Sequence, residues 1–450
     1  MHQIKLKITK EQEGSYFPLK FTVGEKVKKV EIRYQYERHH LQQVELNENI
    51  RSSLLQEELI LDSQNIIQEE VAIIDFSIKG PQKQFLGSSG SDRNYWFFSA
   101  NESSKGFARV EKLSGEWEII VGAYKVPKDG IEITYSITEI ETKRHLIKGD
   151  NHLHSQASDG QHSLQTLKQI ALDMRLDYLI ITDHNNFHPE ARELSSEKIT
   201  IIPGVEWTQY LGHGNMLGVS GAFDDTFVTE NEDLVKDRIE RIHECGGLFI
   251  INHPFCPHVP WLWSLDLEMD ALEIINGGTH PSANEKARRW WHQQLCNGLK
   301  LPIVGGSDFH RFSLFNSLGV PTTNLYVEDQ SESSILNAIK LGHGFVTRTI
   351  NGPLVDMDVE SKYFMGDSAP HNSIVKVTFQ NLSKGQIIKL ITDEEVQEIK
   401  IEHKTVEKNI NWQQTSQKFL RVEIWDGKYK DILVGEEGLL VLISNPIYFH

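Results

Sequence analysis

Hydrophobic and polar positions change rhythm twice along the chain. Up to about residue 145 the apolar residues fall in short stretches that alternate or carry β-branched and aromatic side chains: Phe17–Val23, Lys29–Tyr36, Val71–Ile78, Glu116–Val121 and Gly130–Ile140. Gly, Asn, Asp and Ser punctuate them, which predicts strands, turns and a β-sandwich. From about 146 to 350 the alternation is lost. Tyr178–Thr182, Ile199–Val205, Leu248–Asn252, Ala271–Asn276 and Leu301–Gly305 are mostly apolar throughout, as expected for strands buried on both faces of a parallel sheet. Helical spacing fills the gaps between them. Ser163–Leu176 places Leu164, Leu167, Ala171 and Met174 on one side behind a Ser163 N-cap. Asn231–Cys245 groups Leu234, Val235, Ile239 and Ile242 and stops at Gly246-Gly247, and Asn284–Asn297 ends before Gly298. This rhythm predicts an α/β barrel or an open α/β sheet. From about 351 to 450 the β pattern returns, at Ile374–Gln380, Gln386–Thr392, Phe419–Trp425 and Leu439–Ile443. The predicted domains are a β-sandwich over 1–145, an α/β domain over 146–350 and a β-rich domain over 351–450.

Composition narrows the class. A chain of 450 residues is long enough for two or three domains and for a core that needs no disulfides. Its three cysteines, Cys245, Cys256 and Cys296, form no CxxC pair, which argues against a thiolate zinc or redox motif and fits a reducing compartment. The net charge of −17 repels phosphate backbones and disfavours nucleic acid as a partner. The segment MHQIKLKITKEQEG has no apolar h-region, and no run approaches the ~20 apolar residues of a membrane span. The expectation is a soluble, cytoplasmic protein acting on a small molecule without a membrane partner. The oligomeric state, a homo-oligomer included, stays open.

The ionisable residues then give the chemistry. His152 and His154 are two apart, which puts both imidazoles on one face of a strand. Asp159 follows. The predicted strand Tyr178–Thr182 ends in Asp183-His184, Ile199–Val205 ends in Glu206, Leu248–Asn252 ends in His253, and Leu301–Gly305 leads to Asp308 and His310, again two apart. In a (β/α) barrel those carboxyl ends converge at one mouth, where active sites sit. A lone buried histidine is usually a satisfied core or capping residue. So many histidines and carboxylates at one mouth would repel or desolvate each other unless cations held them, and metal ions are the simple resolution.

Nitrogen and oxygen ligands suit Zn, Mn or Fe. His213, in Leu211-Gly-His-Gly-Asn215, fits either a further ligand or a loop residue. Asp183 fits either a partner that orients a ligand histidine or a loop anchor. Arg311 and Arg348 fit either an anion clamp or a surface ion pair. Trp261 and Trp263 fit either a pocket wall or rim packing.

The motifs HLHSQASDG (152–160), ITDHN (181–185), PGVEW (203–207), INHPF (251–255) and GGSDFH (305–310) resemble the PHP superfamily, named for polymerase and histidinol phosphatase, over a middle domain of about 200 residues. The flanking β segments and GHGFVTRTINGPLVDMDV (342–359) look more loosely like its CehA/McbA branch. The resemblance implies a distorted, TIM-like (β/α)7 barrel with two or three divalent ions at its mouth. It implies one ion on His152, His154, Glu206 and Asp308. A second would lie on Glu206, His253 and His213, and a third on Asp159, His184 and His310. Some family members have histidine where this chain has Asp159, which puts the third site in question. The implied function is hydrolysis by a metal-bridging hydroxide, first of a small phosphorylated substrate, alternatively of a carboxylester or carbamate. Asp183 and Arg311 are the catalytic candidates outside the ligand set.

Overall fold

The computed structural model describes residues 2–24, 27–43, 66–90, 93–100, 102–141, 144–223, 227–314, 316–428 and 438–450. The chain divides into two compact units, Met1–Lys143 and Arg144–His450.

The first unit contains two antiparallel four-stranded sheets. One runs His2–Ile8, Ile131–Glu141, Val27–Gln35, Tyr95–Ser99, and the other Tyr16–Val23, Gly115–Lys125, Ile73–Lys79, Phe85–Ser89. Alternate residues such as Ile74, Phe76 and Ile78 enter one shared core with Trp96 and Trp117. All five stretches predicted here are strands, because a sheet with one wet face writes its alternation into the sequence.

The second unit is an α/β barrel flanked by further sheets. Its strands are β1 (His145–Asp150), β2 (Tyr178–Ile181), β3 (Thr200–Gln209), β4 (Gly212–Leu217), β5 (Leu248–Ile251), β6 (Ala271–Asn276) and β7 (Ile303–Gly306), paired in that order. All neighbours are parallel except β4, which is antiparallel to both β3 and β5. The ring closes just past the strand ends, where Leu153 bridges Phe309 in parallel. There Asp308 N donates to His152 O at 2.8 Å and His154 N to Phe309 O at 2.9 Å. Buried Asp150 fixes this seam by accepting from Ser307 N (3.0 Å) and Gly319 N (2.8 Å). Gly306 is required there, since a Cβ would lie 2.3 Å from His152 Cβ.

Four helices cover the barrel: α1 (Leu164–Asp173), α2 (Glu232–Glu244), α3 (Pro281–Cys296) and α4 (Glu332–Leu341). Their N-caps Ser163, Asn231, His280 and Ser331 each accept a backbone N–H of the first turn. Two expectations are corrected. Leu234 is 41% exposed rather than on the buried face of α2. Burying Val235, Arg238, Ile239 and Ile242, at spacings of three and four, turns it outward. Helix α3 starts three residues earlier than expected, because Pro281 is pre-organised for the first helical position.

Beyond β1 the sheet continues through two antiparallel strands, Thr322–Val327 and Gly344–Thr347, into Leu439–Ser444, Phe419–Asp426, Gln386–Ile391 and Val396–Lys400. A separate sheet of Tyr363–Phe364, Leu354–Val359, Ile374–Leu382 and Thr405–Gln413 contributes to the same core as these strands. Among the described residues no helix is long and apolar enough to cross a membrane.

Candidate metal centre

The structure brings all nine proposed ligands to one end of the barrel. His152 and His154 follow β1, His184 follows β2, His253 follows β5, and Asp308 and His310 follow β7. Glu206 differs slightly from expectation. It lies inside β3, which runs on to Gln209 because the β3–β4 hairpin continues the ladder. His213, whose role the sequence left open, sits at the start of β4. Because β4 runs against its neighbours, its start lies at the mouth where they end.

Glu206 is the hub. Its Oε1 lies 3.2 Å from His152 Nε2, 3.2 Å from His213 Nδ1 and 3.4 Å from His253 Nε2. Its Oε2 lies 2.8 Å from His184 Nδ1 and 3.5 Å from His154 Nε2. Asp308 Oδ1 is 3.1 Å from His154 Nε2 and 3.5 Å from His152 Nε2. At the outer edge Asp159 Oδ1 is 3.2 Å from His310 Nε2 and 3.6 Å from His184 Nε2.

Among the described residues, four overlapping groups have ligand atoms within 4.8 Å of one another. They are His154, Asp159, His184, His310; His152, His154, Glu206; His152, His253, Asp308; and Glu206, His213, His253. These clusters are capable of coordinating metal ions. Buried His152 Nε2 and Glu206 Oε2 have no hydrogen-bond partner of good geometry, as ligand atoms facing a cation would not. The donor set therefore fits divalent ions.

Electrostatics agree. Burial would raise the Glu206 carboxyl, but His152, His184 and His213 hold it well below its usual range. Burial opposes charge on His152, yet Glu273, Glu206 and Asp308 raise it well above an ordinary imidazole. Burial likewise opposes His253, and Glu206, Glu273 and Asp308 lift it to about 9. His154 goes the other way, because burial outweighs Asp308 and Glu206. Without ions, the raised values of His152 and His253 favour protons on these rings beside the carboxylates.

A pH prediction follows. A histidine with a raised folded pKa adds stability below its unfolded pKa of about 6.5 and loses it as pH climbs through the folded value. Chelator-treated protein should therefore melt lower at pH 9.5 than at pH 6.5, by about 2–6 °C. Saturating zinc should flatten that fall, because ligand histidines are already deprotonated. Melting curves at both pH values, with and without chelator, check this.

Sequence reasoning missed the groups that hold the ligands. Glu273, the one charged residue of β6, is buried. Its Oε1 is 2.9 Å from His152 Nδ1 and its Oε2 accepts His253 N at 2.8 Å. Asn276 donates to the same Oε2 at 3.0 Å. Asn252 donates to Glu206 Oε1 at 3.0 Å, and Thr208 Oγ1 is 2.6 Å from His184 Nδ1. A lone carboxylate in an otherwise apolar strand was the available signal for Glu273. His253 (φ 27°) and Asp308 (φ 53°) have left-handed backbones, a strain of about 1–3 kcal/mol each, held by these bonds and by the β1–β7 seam.

The remaining candidates contribute to none of the four ligand groups. Asp183 accepts from Ser155 N, Ser155 Oγ and Ser158 Oγ, each at 2.6 Å, and lies 2.7 Å from His188 Nε2. These carboxylate contacts are to Ser155, Ser158 and His188, none of them a candidate ligand, while the Asp183 carbonyl accepts from Glu206 N at 3.2 Å. Arg311 is exposed. Trp261 is buried in the rim packing and its Nε1 donates to Ser264 O, so it belongs to the barrel wall.

Asp159 is the loosest member, with a side chain 57% exposed. Asp159→Ala should lower the metal count by about one ion per chain and leave the inner clusters loaded. Elemental analysis of the variant reads this directly.

No protein-family model matches this chain. It is 31% identical over 134 residues to the 5'-3' exoribonuclease Rnm of Salmonella typhimurium, which covers 29% of this chain and 43% of that enzyme. It is 26% identical over 151 residues to an uncharacterized protein of Methanocaldococcus jannaschii, covering 29% of this chain and 82% of that protein. The chain thus spans less than half the length of the exoribonuclease. Among solved structures, a two-domain protein of Bacteroides vulgatus described as containing a predicted PHP-like metal-dependent phosphoesterase matches 68% of this chain and 98% of its own. The identity is 17% and the TM-score 0.38, a likeness too low to carry an argument.

Proposed function

We propose that this protein is a metal-dependent hydrolase of the PHP superfamily that cleaves a phosphoester of a small substrate. One observation carries the reading: a single buried carboxylate, Glu206, lies within 3.5 Å of five histidines from four chain segments. The ligand motifs in PHP order and the partial similarity to an exoribonuclease support it, whereas the looser likeness of the β-rich flanks to the CehA/McbA layout favours the alternative, ester or carbamate hydrolysis.

On this reading His152, His154, Glu206 and Asp308 would hold one ion, Glu206, His213 and His253 a second, and Asp159, His184 and His310 a third. Zn, Mn or Fe suits these ligands. When bound, such ions lower the pKa of water and stabilise charge on a phosphoryl oxygen. The chain's own contribution is placement. Glu273 fixes the His152 ring, so that its Nε2 faces the cluster. Thr208 Oγ1 fixes the His184 ring through Nδ1. The three unpaired cysteines favour the cytoplasm as the compartment.

A substrate panel tests the proposal. p-Nitrophenyl phosphate should be hydrolysed faster than 1-naphthyl acetate or 1-naphthyl methylcarbamate, and faster than a short single-stranded RNA. Turnover of the carbonyl substrates alone would transfer the protein to ester or carbamate hydrolysis. Preference for RNA would replace the small-molecule reading.

A further inference from the structure

A cavity of about 520 Å3 adjoins the cluster within the second unit. The segment after β6 separates the two. Asn276, on the cavity wall, donates to Asp308 Oδ2 at 3.4 Å, and a Cβ on Gly278, also on that wall, would lie 2.8 Å from the same oxygen. A molecule in the cavity is therefore one backbone segment from a candidate ligand.

The walls select by chemistry. Ile275, Val320, Pro321, Trp425, Leu439 and Leu440 all line the cavity. The volume falls within the range of about 300–1,000 Å3 usual for small-molecule sites. Most wall charges are already paired. Arg288 meets Glu285 at 2.6 Å and Glu423 at 3.0 Å, and Glu423 meets Arg421 at 2.6 Å. The Trp425 indole donates to Glu423 Oε2 at 2.8 Å, so this network also fixes the ring. Arg348 differs. It is exposed on the cavity edge, and its guanidinium has no partner among the described residues. Pro281, at the N-terminus of α3, lies on the same wall, adding the positive end of a helix dipole. Apolar walls with one unpaired guanidinium match an aromatic body bearing a single negative charge.

We propose that this cavity binds a small aromatic monoanion, with the ring against Trp425, Leu439 and Leu440 and the charge on Arg348. Resting on the hydrolase reading above, it is the pocket for the non-reacting part of the substrate.

Equilibrium titration with 1-naphthoate and with neutral 1-naphthalenemethanol, on protein as isolated and after chelation, tests it. Saturable one-to-one binding of 1-naphthoate is expected in both preparations, about tenfold tighter than the alcohol, the scale of one charge-assisted hydrogen bond. Arg348→Ala should erase that preference without lowering the melting temperature, and Leu440→Asp should weaken both ligands. No saturable binding, or binding untouched by both variants, overturns the pocket. Binding lost on chelation also overturns it, by placing the probe on the ions. Metal content, read on the same samples, reports separately on the hydrolase reading.

Discussion

Glu206→Ala will lose the inner metal ions and lower hydrolysis by at least about a thousandfold, the scale of losing a group that organises transition-state charge stabilisation. Its carboxylate lies within 3.5 Å of five histidines, and it belongs to two of the four ligand groups. Among the described residues no other carboxylate lies this close to as many histidines; Asp308 reaches three. The barrel should survive the substitution, because its packing lies elsewhere, in clusters around Ile180, Ile202 and Ile250 and around Trp207, Phe249 and Trp291. Histidines left without their carboxylate can shed protons, which limits the electrostatic cost. Elemental analysis, a phosphatase assay and a circular-dichroism melt on one sample check all three parts. Retained metal with retained activity would show that Glu206 is a structural carboxylate.

Glu273→Gln will weaken metal binding by about 10–100-fold while keeping every ligand in place, as loss of a partner behind a metal-binding histidine does. Glu273 grips His152 Nδ1 and the His253 backbone at once, so it fixes one imidazole and the strained entrance to another. A glutamine keeps the shape but loses the charge that makes the His152 ring a stronger donor. Metal competition against a chromogenic chelator gives the affinity. Activity at saturating metal should recover most of the loss, which a ligand variant such as Asp308→Ala should not. Equal affinity in variant and wild type would reduce Glu273 to a packing residue.

The contrast between these two residues marks what the sequence made legible. Glu206 stands at the end of an apolar run, and His152/His154 and Asp308/His310 share a spacing of two, although all four lie just past the strand ends rather than on a strand face as expected. Such local signals survive without a structure. Glu273 was hidden because β6 reads as apolar and a single polar position there has many bland explanations. Strand β4 was hidden for a different reason. Gly214 sits where a Cβ would lie 2.5 Å from the Phe249 ring, so close packing chose glycine and made the strand resemble a loop. That left the role of His213 open. Asp150 was passed over because its task, tying β1 to Ser307 and Gly319, joins segments more than 150 residues apart. The cavity was beyond sequence reading for the same reason. Its walls come from residues as distant as Ile275, Arg348 and Leu440.

The central claim is that the mouth of the barrel holds catalytic metal ions. The most direct test counts metals per chain by elemental analysis and assays p-nitrophenyl phosphate hydrolysis on the same protein before chelation, after it, and after adding back Zn or Mn. The account predicts about two or three divalent ions per chain, activity lost with them and regained on their return. No bound metal even after reconstitution, or full activity after exhaustive chelation, would contradict it.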